Sequence, residues 1–281
     1  MAEMTLDEKQ VALDARLRGL GSVLVACSGG VDSAFLAWAA HRVLGDRMLA
    51  VLADSASLAR SHYRDALAFA EENAIPLLIV ETRELEREAY AANGADRCFH
   101  CKDELFTVLE AERERRNFAA VAYGLNQDDG QDFRPGQRAA LDHHVVAPLA
   151  EAGLTKADIR ALAQSAGLRV WDKPASACLS SRIEYGRRVT PEALRQVEDA
   201  EEALRALGLR RFRVRHHGSV ARIEIAQEEM AAALTSGSFA RMAAAVRSAG
   251  FPYVAVDCDG YRSGSMNELL PAEMLASPRA R

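Results

Sequence analysis

The sequence predicts an α/β protein, a doubly wound parallel sheet followed by a smaller α+β domain. Three observations predict it. Short apolar runs alternate with helix-period segments through the first half of the 281 residues. A glycine-rich segment, SGGVDS, lies between the first such run and the first such helix. After residue 175 the pattern changes to helix, two neighbouring strands, helix and strand. The expected domains are therefore residues 1–175 and 176–281.

The elements follow in order. Ser22–Ala26 reads as a buried strand and Val31–Leu44 as the helix after it. Met48–Ala53 is the second strand, Leu58–Asn73 the second helix and Pro76–Val80 the third strand. Lys102–Arg116 is helical, Ala119–Tyr123 is the fourth strand, and Val145–Val146 is a short fifth. In the second part Pro191–Leu207 is a helix that Gly208 stops. Arg211–Arg215 and Ala221–Ile225 are strands, Gln227–Ala249 is a helix and Tyr253–Val256 a strand.

Composition narrows the class. Hydrophobic residues make up 49% and charged residues 27%, which suits a globular chain that buries a core. No apolar run reaches the roughly 18 residues of a membrane span. The N-terminal MAEMTLDEKQ is acidic and polar and does not read as a signal peptide, so a cytoplasmic location is expected. A net charge of -5 and no long basic tail argue against a protein built to hold nucleic acid. Five cysteines, an odd number, do not suggest a disulfide framework.

In doubly wound sheets ligands bind beyond the carboxyl ends of the strands. Here those ends carry SGGVDS, then Asp54 and Ser55, then Gly124, Asn126, Asp128 and Asp129. Gly29 and Gly30 allow successive N–H groups to converge on one concavity, and the helix after them adds its positive end. Ser28 and Ser33 add hydroxyl donors, and Asp32 can hold Mg²⁺ or position a loop amide. The Walker A lysine is absent, as is the dinucleotide pattern G-x-G-x-x-G. SGGVDS does resemble the PP-loop of the ATP pyrophosphatases, which split ATP between its α and β phosphates and leave AMP on a carbonyl or carboxylate oxygen.

Four further stretches carry chemistry. In DRCFHCKDELF, Cys98 and Cys101 are either a pair able to share a metal or cluster, or incidental thiols at a helix start. Lys102 follows as a solvated lysine or as a phosphate or carboxylate contact. In WDKPASACLSSRIEYG, Cys178 sits in a polar loop beside Arg182, where a thiolate is favoured. In RRFRVRHH, strand alternation sets Arg211, Arg213 and Arg215 on one face, either a solvated edge or a site for phosphate and carboxylates. DCDGYRSGSMNE reads as an ordered loop of unreadable chemistry. Cys27 reads as packing and Cys258 as structural.

Taken together, SGGVDS, ADSAS, RCFHCKDELF, DDGQDFRPG, DKPASACLSSRI, RVRHHGSVARIE and GYRSGSMNE resemble, in this order, the LarE-type sulfurtransferases. The resemblance covers nearly the whole chain, and DKPASACLSSRI and GYRSGSMNE are its most specific parts. It implies an ATP-dependent enzyme of nickel-pincer nucleotide synthesis. The implied substrate is a pyridinium dicarboxylic acid mononucleotide, adenylated on a ring carboxylate and then thiolated, with a partner protein later inserting nickel and with assembly beyond a monomer.

Residue by residue, the resemblance implies ATP contacts at Ser28, Gly29, Gly30, Asp32, Ser33, Asp54 and Lys102. It implies substrate contacts at Ser181, Arg182, Arg213 and Arg215, and metal or acidic contacts at Glu201 and Glu224. The family divides by sulfur source. Either a single cysteine at the position of Cys178 gives up its sulfur, or three cysteines hold a [4Fe-4S] cluster. The presence of Cys98, Cys101 and Cys178 favours the cluster. The competing readings are a tRNA thiolase of the same class, an amidotransferase-linked synthetase, which would use ammonia and not need Cys98, Cys101 and Cys178, and a non-catalytic AMP-binding module.

Overall fold

The computed structural model describes residues 4–131, 135–174, 177–262 and 266. The chain divides into two compact units, Met1–Glu84 with Cys98–Ser176, and Leu85–Arg97 with Ala177–Arg281. In the first unit Thr5 opens α1 (Leu6–Leu20) with a reciprocal cap: its hydroxyl accepts from the Glu8 amide, and the Glu8 carboxylate accepts from the Thr5 amide. Then come β1 (Val23–Cys27), α2 (Val31–Leu44), β2 (Met48–Asp54), α3 (Arg60–Glu72) and β3 (Leu77–Glu81). The chain next contributes α4 (Glu88–Ala91) to the second unit and returns on α5 (Arg97–Arg115). β4 (Ala120–Tyr123), α6 (Pro135–Asp142), α7 (Pro148–Glu151) and α8 (Lys156–Ser165) complete the first unit.

Its four strands run parallel in the order β3-β2-β1-β4. Every residue of β1 is buried, as a continuous VLVAC run between two helical layers requires. Val23 and Val25 pack on one face with Leu13, Phe35 and Ile159. Leu24 and Ala26 pack on the other with Phe106, Leu109 and Ala139. Each fully buried Val or Leu contributes about 1.5–3 kcal/mol. The strand order reverses between β1 and β4, so a ligand crevice is expected at the carboxyl ends of those two strands.

The doubly wound α/β class stands, and several element bounds change. The expected fifth strand, Val145–Val146, is a single parallel bridge between Ala122 and Val146, because the chain turns into α7 directly afterwards. The helix expected at Lys102–Arg116 begins at Arg97, so Cys98 and Cys101 are helical. α1, α4, α6, α7 and α8 are additional to the sequence reading.

The second unit contains α9 (Pro191–Ala206), which Thr190 caps with proline at its first position. β5 (Phe212–His217) and β6 (Val220–Ile225) form an antiparallel hairpin. The expected single helix Gln227–Ala249 is two helices, α10 (Gln227–Ala233) and α11 (Ser236–Ser248). Thr235 is extended between them (φ -74, ψ 152), consistent with the preference of short hydroxyl residues for caps over helix interiors. β7 (Tyr253–Val256) pairs parallel with β6. No helix among the described residues is long and apolar enough to cross a membrane.

Candidate active site

The loop after β1 is built as a cradle. Gly29 takes φ +73, which side-chain-bearing residues rarely adopt. Gly30 occupies the cap position of α2 and provides no side-chain cap, so the first amides of that helix are left for another acceptor. Ser33 organises the loop: its hydroxyl accepts from the Ser28 amide at 3.1 Å and donates to the Gly30 carbonyl at 3.1 Å. The Ser28 and Ser33 hydroxyls are also 3.1 Å apart. Gly124, at the end of β4, presses on this loop. A Cβ there would meet the Ser33 nitrogen at 2.7 Å and its Cα at 2.9 Å.

Asp32 stands in the first turn of α2. One carboxylate oxygen accepts from Lys156 Nζ at 2.5 Å. The other, Oδ1, is buried and has no hydrogen-bond partner among the described residues. Lys156 is the first residue of α8, and its own amide donates to Asp128 at 2.7 Å. The Asn126 side chain accepts from the amides of Asp128 and Asp129, which shapes the loop after β4. At the end of β2, Asp54 is ion-paired with Arg60 at 2.7 Å. Ser57 donates to the buried Glu84, which also accepts from Thr82. Cys27 is buried behind the loop, and burial pushes its thiol pKa up, in keeping with packing.

α5 carries Cys98, Cys101 and Lys102 at spacings that share a helix face. Cys98 is exposed and Cys101 half-buried. The Lys102 ammonium lies 5.7 Å from the centre of the Phe106 ring.

In the second unit Cys178 is half-buried and immediately precedes a 3₁₀ turn, Leu179–Arg182. Its carbonyl accepts from the Ser181 amide, the Ser181 hydroxyl and the Arg182 guanidinium. Arg182 is 1% exposed and pairs with Glu201, itself 1% exposed. Arg215 pairs with the fully buried Glu224 at 2.7 Å and donates to the Ser181 carbonyl. Arg213 lies over the Tyr261 ring at 5.0 Å. Burial first, and then the neighbouring Arg182 charge, hold its pKa below the usual arginine value. Burial alone would raise the Glu201 carboxyl, but the Arg182 charge and hydrogen bond bring it below the ordinary value. Glu201 and Glu224 thus anchor a basic cluster of Arg182, Arg205, Arg213, Arg215 and Arg222, a chemistry that suits an anion.

The expected residues fall into two groups. Ser28, Gly29, Gly30, Asp32, Ser33, Asp54, Lys102, Cys98 and Cys101 are in the first unit. Cys178, Ser181, Arg182, Arg213, Arg215, Glu201 and Glu224 are in the second. Within neither unit do three or more His, Cys, Asp or Glu side chains gather as a metal centre among the described residues. Cys258, expected to be structural, is exposed. Residues 132–134 of DDGQDFRPG, 175 and 176 of DKPASACLSSRI, and most of SGSMNE lie outside the described residues.

Sequence reading missed Lys156. A signal existed, since Thr155 and Asp158 form a capping box around it and a lysine in a first helical turn opposes the helix dipole. It also missed Tyr90 and Asn93, which no motif marks, and Arg97, which opens RCFHCKDELF but was given no role.

A parallel α/β sheet whose first loop is a glycine-rich cradle without a Walker lysine defines the PP-loop ATP pyrophosphatase class. In agreement, residues 9–127 match the NAD synthase family model. The chain is 36% identical to the pyridinium-3,5-bisthiocarboxylic acid mononucleotide synthase of Lactiplantibacillus plantarum, over 97% of this chain and 99% of that protein. It is 39% identical to an uncharacterised Synechocystis protein, over 89% of this chain and 94% of that one. A GMP synthase of Gloeothece citriformis is 28% identical over 52% of this chain and 31% of its own length. The chain belongs to the family of the Lactiplantibacillus synthase, the LarE family, and is an enzyme.

Proposed function

We propose that this chain is a cytoplasmic, ATP-dependent sulfurtransferase acting on pyridinium-3,5-biscarboxylic acid mononucleotide. A ring carboxylate oxygen attacks the α-phosphorus of ATP, and the bond to the β-phosphate oxygen breaks to release pyrophosphate. A protein-held sulfide then attacks the acyl carbon, AMP departs with the oxygen it had bonded, and the bond between the sulfur and its holder breaks to leave a thiocarboxylate. The product enters nickel-pincer cofactor synthesis, where a partner protein inserts nickel. One observation carries the reading: the end-to-end match to a synthase whose name specifies the thiocarboxylated mononucleotide.

The local chemistry supports each part. The amides and hydroxyls from Ser28 to Ser33 are placed to take the charge of departing pyrophosphate. Asp32 Oδ1, a buried oxygen with no protein partner among the described residues, suits a Mg²⁺ ligand, and such an ion shields phosphate charge when bound. Lys156 holds the other oxygen and so fixes the carboxylate. Asp54 and Lys102 are further nucleotide contacts. Arg213, Arg215, Ser181 and Arg182 form the anion site for the substrate phosphate and carboxylates, with Glu201 and Glu224 holding the arginines.

Cys98, Cys101 and Cys178 are a soft thiolate set for a [4Fe-4S] cluster, which when bound supplies an iron site for added sulfide.

The test is to incubate the protein with ATP, Mg²⁺, sulfide and the mononucleotide, and to measure pyrophosphate, AMP and substrate mass. A gain of sulfur for oxygen is expected, and Asp32→Asn should cut pyrophosphate release about 100-fold. No pyrophosphate from the intact protein, or thiolation only of added tRNA, refutes the reading.

A further inference from the structure

We propose that the segment Leu85–Arg97 is a positioning strap for the turn that carries Cys178. The proposal rests on the reading of Cys178 as a sulfur-handling residue, and its geometry lies wholly within the second unit. Three polar side chains of the segment are buried: Tyr90 is 1% exposed, Asn93 0% and Arg97 4%. Buried polar groups are costly unless bonded, so their partners show what they are for.

All three reach the turn or the chain just after it. The Tyr90 hydroxyl is 2.6 Å from that of Ser180, which is fully buried. Arg97 donates to the Ser180 carbonyl at 2.9 Å and to the Asn93 side-chain oxygen. Asn93 takes φ +59, a left-handed conformation that asparagine tolerates better than most residues. From there its amide nitrogen donates to the carbonyls of Ile183, Glu184 and Arg187. Backbone bonds join Gly186 to Asn93 and Val189 to Ala91.

The turn is therefore gripped from two sources. Arg182 and Arg215 hold its far side through Ser181 and the Cys178 carbonyl. The strap holds Ser180, the residue between. Apolar contacts would suffice to attach the segment, whereas directional bonds to one residue set the rotation of the turn and so the direction of the Cys178 side chain. Tyr90, Asn93 and Arg97 act through that turn and are positioning residues.

Tyr90→Phe in the full-length protein tests this, since it keeps the ring and removes the hydroxyl bonded to Ser180. The primary measurement is the rate of Cys178 alkylation by iodoacetamide, read by peptide mass spectrometry against Cys258 of the same chain. The ratio should shift about threefold or more, because a buried Ser180 hydroxyl left without its partner turns elsewhere. Tyr90→Phe with Ser180→Ala removes both partners and should restore the ratio. In the sulfur-transfer assay, Tyr90→Phe should lower thiocarboxylate formed per pyrophosphate released by about tenfold, from misplacement alone. A lower melting temperature with an unchanged alkylation ratio makes the contacts merely structural and overturns the proposal. If the unaltered protein forms no thiocarboxylate, the sulfurtransferase reading fails, and the alkylation ratio still decides the strap.

Discussion

Glu201 lies between Arg182 and Arg205, its oxygens 3.0 and 3.1 Å from their nitrogens, at 1% exposure. It also accepts from the Val214 amide, so one carboxylate joins α9, β5 and the Cys178 turn. Breaking a buried pair by removing one charge leaves the other uncompensated, which costs about 3–5 kcal/mol. Glu201→Gln should therefore lower unfolding stability by about that amount in urea. The folded carboxyl titrates below its ordinary value of 4.5, so its stabilisation is complete above that pH. It is lost as pH falls through the lower, folded value. Urea midpoints measured across that acid range should fall for the native protein, and less steeply for Glu201→Gln.

Among the elements, α5 is secured by a histidine. His143 Nε2 is 2.9 Å from Asp103 and Nδ1 3.1 Å from Glu110, both on α5, with the ring largely buried against Phe106. Burial opposes its charge, but the bonds to Asp103 and Glu110 outweigh it and raise its pKa above 6.5. The sign is opposite to that of Glu201. The stabilisation is complete below the ordinary histidine value and is lost as pH rises through the raised one. The melting temperature should drop on the alkaline side of 6.5, and His143→Gln should flatten that drop.

Such ties explain what the sequence concealed. The strands of the first sheet were legible because each is a short apolar run beside turn residues, and SGGVDS marked its own loop. α5 was shortened because CFHC carries no apolar period. α10 and α11 merged because the apolar pattern runs across Leu234–Thr235. The arginine face of β5 was legible as a pattern. Its partners Glu201 and Glu224 were recognised only by resemblance, since pairing across elements leaves no local trace.

For the whole molecule, the second unit is discontinuous in sequence. Tyr90, Asn93 and Arg97 bond to residues 83–94 positions further on. A fragment of residues 177–281 lacks those partners and leaves Ser180 and the carbonyls after it unsatisfied. It should therefore show no cooperative thermal transition by circular dichroism, while the full chain does. A sharp transition in the fragment would mean that the strap is dispensable for folding.

The strap also bears on the order in which the chain matures. It leaves the ribosome well before the residues it will hold, and its buried polar groups must wait in water until they emerge. Joining two distant pieces of chain costs entropy that grows with the open length between them. The intervening Cys98–Ser176 segment folds into the first unit, which removes most of that open length. Folding of the first unit should therefore precede closure of the second, and damage to the first unit's core should appear first as failure to mature around Cys178.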